Sequence, residues 1–289
     1  MNSLPDPTPD DPWAPLRAAT PAPIGLGRVG TAPSLSSVLT LRAAHADARD
    51  AVWTPPDWPG IEQGLTEAAI PWLSARSQAP DRATYLLRPD LGRLLAADSR
   101  AAVAGQRANY DLSIVLVDGL SGAALTHHGA ALARALFAWG RRRSWRLAPV
   151  VCVSQGRVAI GDDIGATLGA DLAVVVIGER PGLSAADSLG IYLTFAPRVG
   201  RMDSERNCIS NVRPGGLPID RAAELAEAYA VAARQQGLTG TDLRVELPNS
   251  APTHSPGVGG AAASARRHDG GSGTGTPSLP SSGSAARKE

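Results

Sequence analysis

The sequence is poor in lysine, cysteine and aromatic residues, and each shortage bears on function. The only lysine among 289 residues is Lys288. A Walker-type phosphate loop and a Schiff-base cofactor both need a lysine within the folded part, so neither is expected. The two cysteines, Cys152 and Cys208, form neither a CxxC pair nor a metal-binding spacing, which favours a reducing cytoplasm.

The chain also lacks a strong net charge and a long apolar run. Its formal net charge of +1 argues against nucleic acid or an anionic membrane as a partner. No apolar run reaches the roughly 18 residues that cross a bilayer. The acidic, proline-rich start MNSLPDPTPDDPWAPL does not have the pattern of a signal peptide. Aromatic residues make up only 4% of the chain, so the core is expected to be aliphatic.

Composition divides the chain into four regions. Residues 1–23 are rich in proline and are predicted to form a disordered leader, and residues 249–289, mostly Gly, Ser, Ala, Pro and Thr, a disordered tail. Apolar residues at helical spacing over 33–53, with Ser34 or Ser36 as cap, and over 89–104 predict an N-terminal helical region at 24–108. Residues 109–248 are predicted to form the second folded region.

In this second region, apolar strands alternate with helices. Strands are predicted in DLSIVLVDG, LAPVVCVSQG, ADLAVVVIG and LGIYLTFAPR, and a last helix over 218–236 is expected to stop at Gly237. Strands that are apolar on both faces are typical of a parallel sheet that is covered on both sides. The predicted fold class is therefore α/β, a Rossmann-like parallel sheet with helices on both faces. Ligands of such sheets bind beyond the carboxyl ends of the strands.

Two glycine-containing motifs are interpreted as structural turns and not as a cofactor-binding or catalytic site. GLGRVG at 25–30 fits a dinucleotide-binding fingerprint, but a proline-rich segment precedes it where that fingerprint needs a strand. GLSGA at 119–123 resembles a nucleophile elbow that would make the chain a hydrolase with Ser121 as nucleophile. No later histidine is well placed as its base, so Ser121 is predicted to cap the helix that follows.

The histidines do not show a metal-binding pattern. His127 and His128 are adjacent and would point about 100° apart on a helix, whereas a metal pair favours a spacing of three or four residues. These two and His45 are interpreted as residues of helix surfaces or helix packing, and no metal site is predicted. Cys208 is either a reactive thiol or a small buried hydrophobe, and the second interpretation is favoured.

The turn GERPG at 178–182 is the strongest candidate for a ligand contact. Pro181 directs Arg180 toward an extended conformation, and Glu179 then lies at a strand end where its carboxylate can accept hydrogen bonds. A plain surface turn with a Glu–Arg pair is the alternative. Small-residue loops, DGLSG and SQGRVAIGDDIG, follow two other strands. Together the loops predict a broad polar shelf for a large ligand, without a nucleophile or an acid–base pair.

Taken together, these loops resemble the small (light) chain of ethanolamine ammonia-lyase. The matching segments occur in the order of that family and span nearly the whole folded part. They are RAAHADARDAV, DRATYLLRPDLGR, VDGLSGAAL, QGRVAIGDDIGATLGA, IGERPGLSAADSLGIYLTFAPR and ERNCISNVRPGGL. GERPGLS and the CISN run with its following arginine and glycine pair are the most specific of them.

The resemblance implies a subunit of an adenosylcobalamin-dependent lyase that converts ethanolamine to acetaldehyde and ammonia through an adenosyl radical. A large TIM-barrel subunit would carry the substrate site and the catalytic residues. This chain would help to hold cobalamin at the interface, in a hetero-oligomer with several copies of each chain. Carried over to this sequence, the cofactor contacts are Val158, Glu179 and Cys208. The sequence has no D-x-H-x-x-G signature, which implies that the cofactor keeps its own dimethylbenzimidazole as lower ligand.

The sequence departs from the family in two places. TAPSL at 31–35 stands where the family usually has an arginine-rich run, which leaves a stand-alone cobalamin- or nucleotide-binding module without lyase activity as the alternative function. The tail at 249–289 has no counterpart in the family. For some relatives the resemblance also implies a bacterial microcompartment. The proline-rich leader shows no amphipathic targeting helix, so the cytoplasm is the expected location.

Overall fold

The computed structural model describes residues 11–246. The tail predicted at 249–289 and the first ten residues of the predicted leader lie outside this part of the chain. Where the sequence predicts the rest of that leader to be disordered, the structure has a helix at Ala14–Ala19. Pro15 lies in its first turn, a position that proline favours because its fixed φ suits the helix and the N–H it lacks would have had no partner.

Residues 11–246 form eight strands and nine α-helices. The strands are β1 (Arg28–Val29), β2 (Ala32–Pro33), β3 (Trp72–Arg76), β4 (Tyr110–Val117), β5 (Val150–Ser154), β6 (Ala170–Gly178), β7 (Leu189–Phe195) and β8 (Asn207–Val212). The α-helices are α1 (Ala14–Ala19), α2 (Leu35–Trp53), α3 (Trp58–Glu67), α4 (Arg82–Leu87), α5 (Ala97–Ala104), α6 (Gly122–Ala124), α7 (Ala130–Arg142), α8 (Ile160–Leu168) and α9 (Ile219–Gln236). A π-helical turn, Leu125–Gly129, joins α6 to α7, and 3₁₀ turns span Leu91–Arg93 and Asp203–Glu205.

Six strands form one mixed, mostly parallel sheet in the order β3–β5–β4–β6–β7–β8. The first four are parallel to one another, whereas β7 and β8 are antiparallel to their neighbours. The α/β class is thus confirmed, but the prediction that β7 continues a parallel sheet is wrong. Residues 179–188, which join β6 to β7, are too few for the crossover of a dozen or more residues that a parallel neighbour requires. The chain therefore turns back on itself.

Two strands of the sheet are absent from the sequence-based prediction. β3 falls within the region predicted to be helical, and β8 holds the CISN run. Both are edge strands with few buried residues, which are Ala75 in β3 and Ile209 and Val212 in β8. An edge strand buries little, so its sequence lacks the continuous apolar run that identified the central strands.

Apolar side chains cover both faces of the sheet, as predicted. Along β4, Ile114 and Leu116 enter one core cluster, whereas Val115 and Val117 enter the other. Helices α3, α7 and α9 pack over the first cluster, and α5 and α8 over the second. The alternation follows from the period of two along a strand. No helix within residues 11–246 is both long enough and apolar enough to cross a membrane.

Three helix predictions have different outcomes. The helix at 33–53 is confirmed as α2, and the hydroxyl of Ser34 accepts a hydrogen bond from the backbone N–H of Ser37 as its cap. The last helix is confirmed as α9, which ends at Gly237 with a left-handed φ of 72°. The prediction over 89–104 is too long, because Leu94–Ala96 is extended and hydrogen-bonds to Arg76 and Gln78 beside the sheet.

Candidate functional site

The loops after β4, β5 and β6 meet at one edge of the sheet, and Asp118 joins the first two. Its carboxylate accepts hydrogen bonds from the backbone N–H groups of Gly119 at 2.9 Å, Gln155 at 2.8 Å and Gly156 at 3.1 Å. A guanidinium nitrogen of Arg82 lies 3.8 Å from the same carboxylate. Burial raises the pKa of Asp118 to about 6, against the lowering effect of these N–H groups and of Arg82.

Two glycines let the loops after β4 and β6 approach backbone to backbone. Gly119 has a φ of 56°, and a Cβ there would lie 2.3 Å from the carbonyl oxygen of Gly178. A Cβ on Gly178 would lie 2.1 Å from the carbonyl oxygen of Ser121. Any side chain at either position would therefore push the two loops apart. The N–H of Leu120 donates to the carbonyl of Gly178 at 2.9 Å and fixes this approach.

A buried tyrosine between two arginines forms one wall of the site. The guanidinium carbons of Arg82 and Arg157 lie 4.6 and 4.1 Å from the ring centroid of Tyr85. Burial raises the pKa of Tyr85 to about 12, so the hydroxyl stays neutral. Among the described residues, the Tyr85 hydroxyl, Nη2 of Arg82 and Nε of Arg157 are buried without a hydrogen-bond partner. Sequence reasoning missed this cluster, although DRATYLL, which holds Arg82 and Tyr85, and QGRV, which holds Arg157, both carried part of the resemblance.

Glu179 connects the end of β6 to the last two strands. Its Oε2 accepts hydrogen bonds from the hydroxyl of Ser188 at 2.7 Å and from the N–H of Asn211 at 3.1 Å. Its Oε1 has no hydrogen-bond partner within residues 11–246 and stays available to a ligand. Nor does that part of the chain show an ion pair between Glu179 and Arg180. Glu179 therefore contacts Ser188 and Asn211 and not Arg180, and its role as a ligand contact stays a prediction.

A cavity of about 430 Å³ opens at this edge of the sheet. Its lining residues are Tyr85, Leu120, Arg157, Val158, Ile177, Gly178, Glu179, Arg180 and Tyr192. Two of the three residues predicted to contact a ligand, Val158 and Glu179, thus face the same space. The third, Cys208, does not line the cavity but pairs across the sheet with Tyr192, which does.

Cys208 is exposed on the edge strand β8, with its sulfur 3.2 Å from the hydroxyl of Ser210. The favoured interpretation of Cys208 as a small buried hydrophobe is therefore wrong. The error follows from the missed strand, because without β8 nothing in the sequence placed this cysteine at an uncovered sheet edge. Cys152, by contrast, is buried in β5, where desolvation raises the pKa of its thiol to about 12.

The two glycine motifs have the structural roles that the sequence favoured. Ser121 accepts a hydrogen bond from the N–H of Ala124 at 3.1 Å, and its hydroxyl donates to the carbonyl of Ala186 at 2.6 Å. Its role as a helix cap is confirmed, and the buried hydroxyl is already bonded on both sides. Residues 25–30 run into the β1–β2 hairpin and not from a strand into a helix, which rejects a dinucleotide site there.

The fold and the cavity define a class of protein: an α/β chain with a polar ligand cleft at the carboxyl ends of its parallel strands. The family model of the ethanolamine ammonia-lyase light chain matches residues 10–244. The chain belongs to this family, whose members are the small subunits of a lyase.

Several curated relatives support this membership, each named ethanolamine ammonia-lyase small subunit. The protein from Azotobacter vinelandii is 45% identical over 244 residues, which is 83% of this chain and 90% of the relative. The protein from Pseudomonas aeruginosa is 47% identical over 248 residues, 84% of this chain and 90% of the relative. The protein from Xanthomonas campestris pv. campestris is 44% identical over 248 residues, 84% of this chain and 91% of the relative.

Proposed function

We propose that this chain completes an adenosylcobalamin site where it meets the large, catalytic subunit of ethanolamine ammonia-lyase. The complex would convert ethanolamine to acetaldehyde and ammonia. The observation that carries the proposal is that Val158 and Glu179 line the same cavity. Cys208 lies on β8, which is the neighbour of the cavity-lining strand β7. Val158 and Glu179, 21 residues apart along the chain, both line the cavity at the strand ends where ligands of parallel sheets bind.

The hydrogen-bonding groups of the cavity suit the amide side chains of a corrin ring. Oε1 of Glu179 can accept a hydrogen bond from an amide N–H, while Oε2 stays bonded to Ser188 and Asn211. The guanidinium of Arg157 lines the cavity and can donate a hydrogen bond to an amide carbonyl. An amide has one donor and one acceptor side, so this pair of groups fits it. Val158 would offer an apolar surface next to them.

The size of the cavity supports a site shared between two chains. Sites for drug-sized ligands measure about 300–1,000 Å³, and the cavity here measures about 430 Å³. A corrin with its nucleotide tail is larger than such ligands, so this chain would enclose only one side of it. The rest of the cofactor would face the large subunit, as in a hetero-oligomer with several copies of each chain.

The residues of this chain would hold and orient the cofactor and would not react themselves. Bound adenosylcobalamin supplies a carbon-centred radical when its cobalt–carbon bond breaks. At the described sheet edge we find no nucleophile paired with a base, so the chemistry on ethanolamine would belong to the large subunit. We also assign the four parallel strands with helices on both faces to the Rossmann-like class. A cytoplasmic location agrees with two free cysteines, and the proposal leaves a microcompartment open.

The large subunit would also cover the N-terminal arm, residues 11–53. Over the 19 residues of α2 only Ser37 and Ala51 are buried, so the rest of the described chain leaves most of this helix uncovered. The side chains of Leu35 and Leu39 are 74% and 55% exposed. These two leucines are four residues apart and so lie on one face of the helix, and exposed apolar side chains of this kind are typical of a protein–protein interface. The departure from the family at 31–35 lies on the same arm.

Glu179 tests the cofactor site directly. We expect Glu179→Ala to weaken cobalamin retention by the two-chain complex about 10- to 100-fold, because a hydrogen bond to a charged group contributes about 1.5–3 kcal/mol. The measurement is the visible spectrum of cobalamin that stays with the complex during gel filtration. Glu67→Ala, an exposed glutamate at the end of α3, is the matched control and should retain the cofactor. Equal retention by both variants would remove Glu179 from the site.

The partner is tested by expressing this chain with a large subunit of the family. With adenosylcobalamin and ethanolamine, we expect acetaldehyde only when both chains are present. Each chain alone is the control. Binding of cobalamin by this chain without any association would favour the stand-alone module instead, and Cys208→Trp would then show whether the edge strand takes part.

A further inference from the structure

A rare helical turn brings together two histidines and an aspartate outside the proposed cofactor cavity. His127 and His128 lie on the π-helical turn Leu125–Gly129, and π-helical turns often occur at functional sites. Asp187 comes from the segment between β6 and β7, and its Oδ2 lies 3.4 Å from Nε2 of His128. One metal-ligating atom from each residue lies within 4.8 Å of the other two.

The spacing of these groups fits a metal ion better than a hydrogen bond. A charge-assisted N–H···O bond measures about 2.7–2.9 Å, which is shorter than the 3.4 Å between His128 and Asp187. Ligands about 2.0–2.1 Å from a tetrahedral zinc ion lie about 3.3 Å from one another. The two imidazole centroids are 5.8 Å apart, and two rings on one zinc ion would be about 5 Å apart by the same geometry.

We propose that His127, His128 and Asp187 bind Zn²⁺, with water completing the coordination. Two imidazoles and one carboxylate favour zinc over magnesium or calcium, which prefer oxygen ligands alone. His128 is buried and Asp187 is half-buried, so both are largely fixed by packing. His127 is exposed, and rotation of its side chain can close the remaining distance without movement of the backbone.

The ion would hold the segment 179–188 against the helix that follows β4. This segment is already attached at Ala186, whose carbonyl accepts from Ser121, and at Ser188, whose hydroxyl donates to Glu179. Asp187 lies between these two attachments. Zinc bound to Asp187 would therefore stabilise the neighbouring Ser188, which hydrogen-bonds the Glu179 carboxylate. The ion itself would not contact the cofactor cavity.

The test is metal binding by the full chain, prepared without an affinity tag and stripped with a chelator. His254→Ala and His268→Ala are introduced throughout as a background, so that histidines of the tail do not contribute. We expect one equivalent of Co²⁺ to give the intense visible bands of a four- or five-coordinate site, and Zn²⁺ to displace it. Isothermal titration then gives the Kd for Zn²⁺.

Three variants decide the outcome. We expect His127→Ala and Asp187→Asn to weaken Zn²⁺ binding at least tenfold, because the first removes one of three protein ligands and the second replaces a charged carboxylate by a neutral amide. His45→Ala, an exposed histidine on α2, is the matched control and should leave the Kd unchanged. Neither His127 nor Asp187 is part of the buried core, so both variants are expected to fold. Absence of Co²⁺ bands in the parent chain, or an unchanged Kd in both variants, would overturn the proposal and leave a His–Asp hydrogen bond.

Discussion

At the scale of single residues, Asp118 determines how two loops meet at the sheet edge. Its carboxylate replaces water as the acceptor for three backbone N–H groups, those of Gly119, Gln155 and Gly156. An unsatisfied buried N–H costs about 1–3 kcal/mol, so these bonds hold the loops in one arrangement. Desolvation of the carboxylate opposes them and makes this residue sensitive to pH.

The pH dependence of the unfolding free energy should reveal the raised pKa of Asp118. Burial raises its pKa from the ordinary 3.8 to about 6, so folding favours the protonated form. The stabilisation from this group is complete below about pH 3.8 and is lost as the pH rises through about 6. Two pKa units correspond to about 3 kcal/mol. We therefore expect the unfolding free energy of the wild type, relative to Asp118→Asn, to fall by up to about 3 kcal/mol from about pH 4 to about pH 7.

Urea unfolding at several pH values measures this difference. Asp118→Asn serves as the reference that cannot titrate at this position. A difference that stays constant across the range, or one that grows with pH, would contradict the raised pKa of Asp118. A constant difference would mean that the three backbone hydrogen bonds balance desolvation, and a growing one that they outweigh it.

At the scale of elements, a buried ion pair attaches α8 to the antiparallel strands. Arg206, just before β8, donates two hydrogen bonds to Asp162 in α8 at 2.6 and 2.7 Å. It also donates to the hydroxyl of Thr194 in β7 at 3.0 Å. Both charged side chains are only 2% exposed. The pair therefore holds α8 against β7 and β8, the strands whose antiparallel arrangement the sequence did not predict.

Removal of one partner of this pair should be costly. We expect Asp162→Ala to lower the free energy of unfolding by about 3–5 kcal/mol, because it leaves the Arg206 charge buried without its partner. The double variant Asp162→Ala/Arg206→Met should lose less than the sum of the two single variants. Chemical denaturation of the full chain measures all three.

An exposed pair provides the control for that experiment. Arg88 and Asp90 are 2.6 Å apart, but their side chains are 60% and 58% exposed. Asp90→Ala should cost less than about 1 kcal/mol, because solvent screens the pair. Equal losses from Asp162→Ala and Asp90→Ala would show that the buried pair contributes little to the attachment of α8.

Local sequence signals explain which elements could be predicted. Helix α2 has a serine cap, α9 has a glycine stop, and β4 to β6 have unbroken apolar runs, so all were recognised. The direction of β7 is set by the short loop between β6 and β7. Strand β8 has no strong apolar signal of its own and forms by pairing with β7 in the folded sheet. Within the site, Glu179 was recognisable because it directly follows a strand. Tyr85 and Asp187 were not, because their neighbours come from distant segments.

At the scale of the whole molecule, substitutions in the N-terminal arm should impair assembly with the large subunit without affecting folding. We expect the double variant Leu35→Glu/Leu39→Glu to lose association with the large subunit, because two charges would enter an apolar interface. Its thermal unfolding should match that of the wild type, since neither side chain packs in the core. Co-expression followed by affinity capture of the large subunit measures the association.

Val199→Glu is the matched control for the arm. Val199 is also exposed, at 59%, but follows β7 at the sheet edge opposite the cofactor cavity. This variant should still assemble. If Leu35→Glu/Leu39→Glu assembles equally well, the large subunit does not cover the arm. If the wild-type chain alone dimerises and the double variant does not, the arm binds a second copy of this chain.

The strand order has a consequence for the time at which the fold can be completed. Ser74 of β3 pairs with Cys152 of β5, 78 positions later in the chain. During synthesis, the segment that will become β3 must therefore wait until β5 has left the ribosome. Contacts between such distant segments slow folding, because a long loop must close before any pairing stabilises it. Until β3 pairs, this edge of β5 stays open, and a chain in which the pairing is delayed would expose that edge to aggregation.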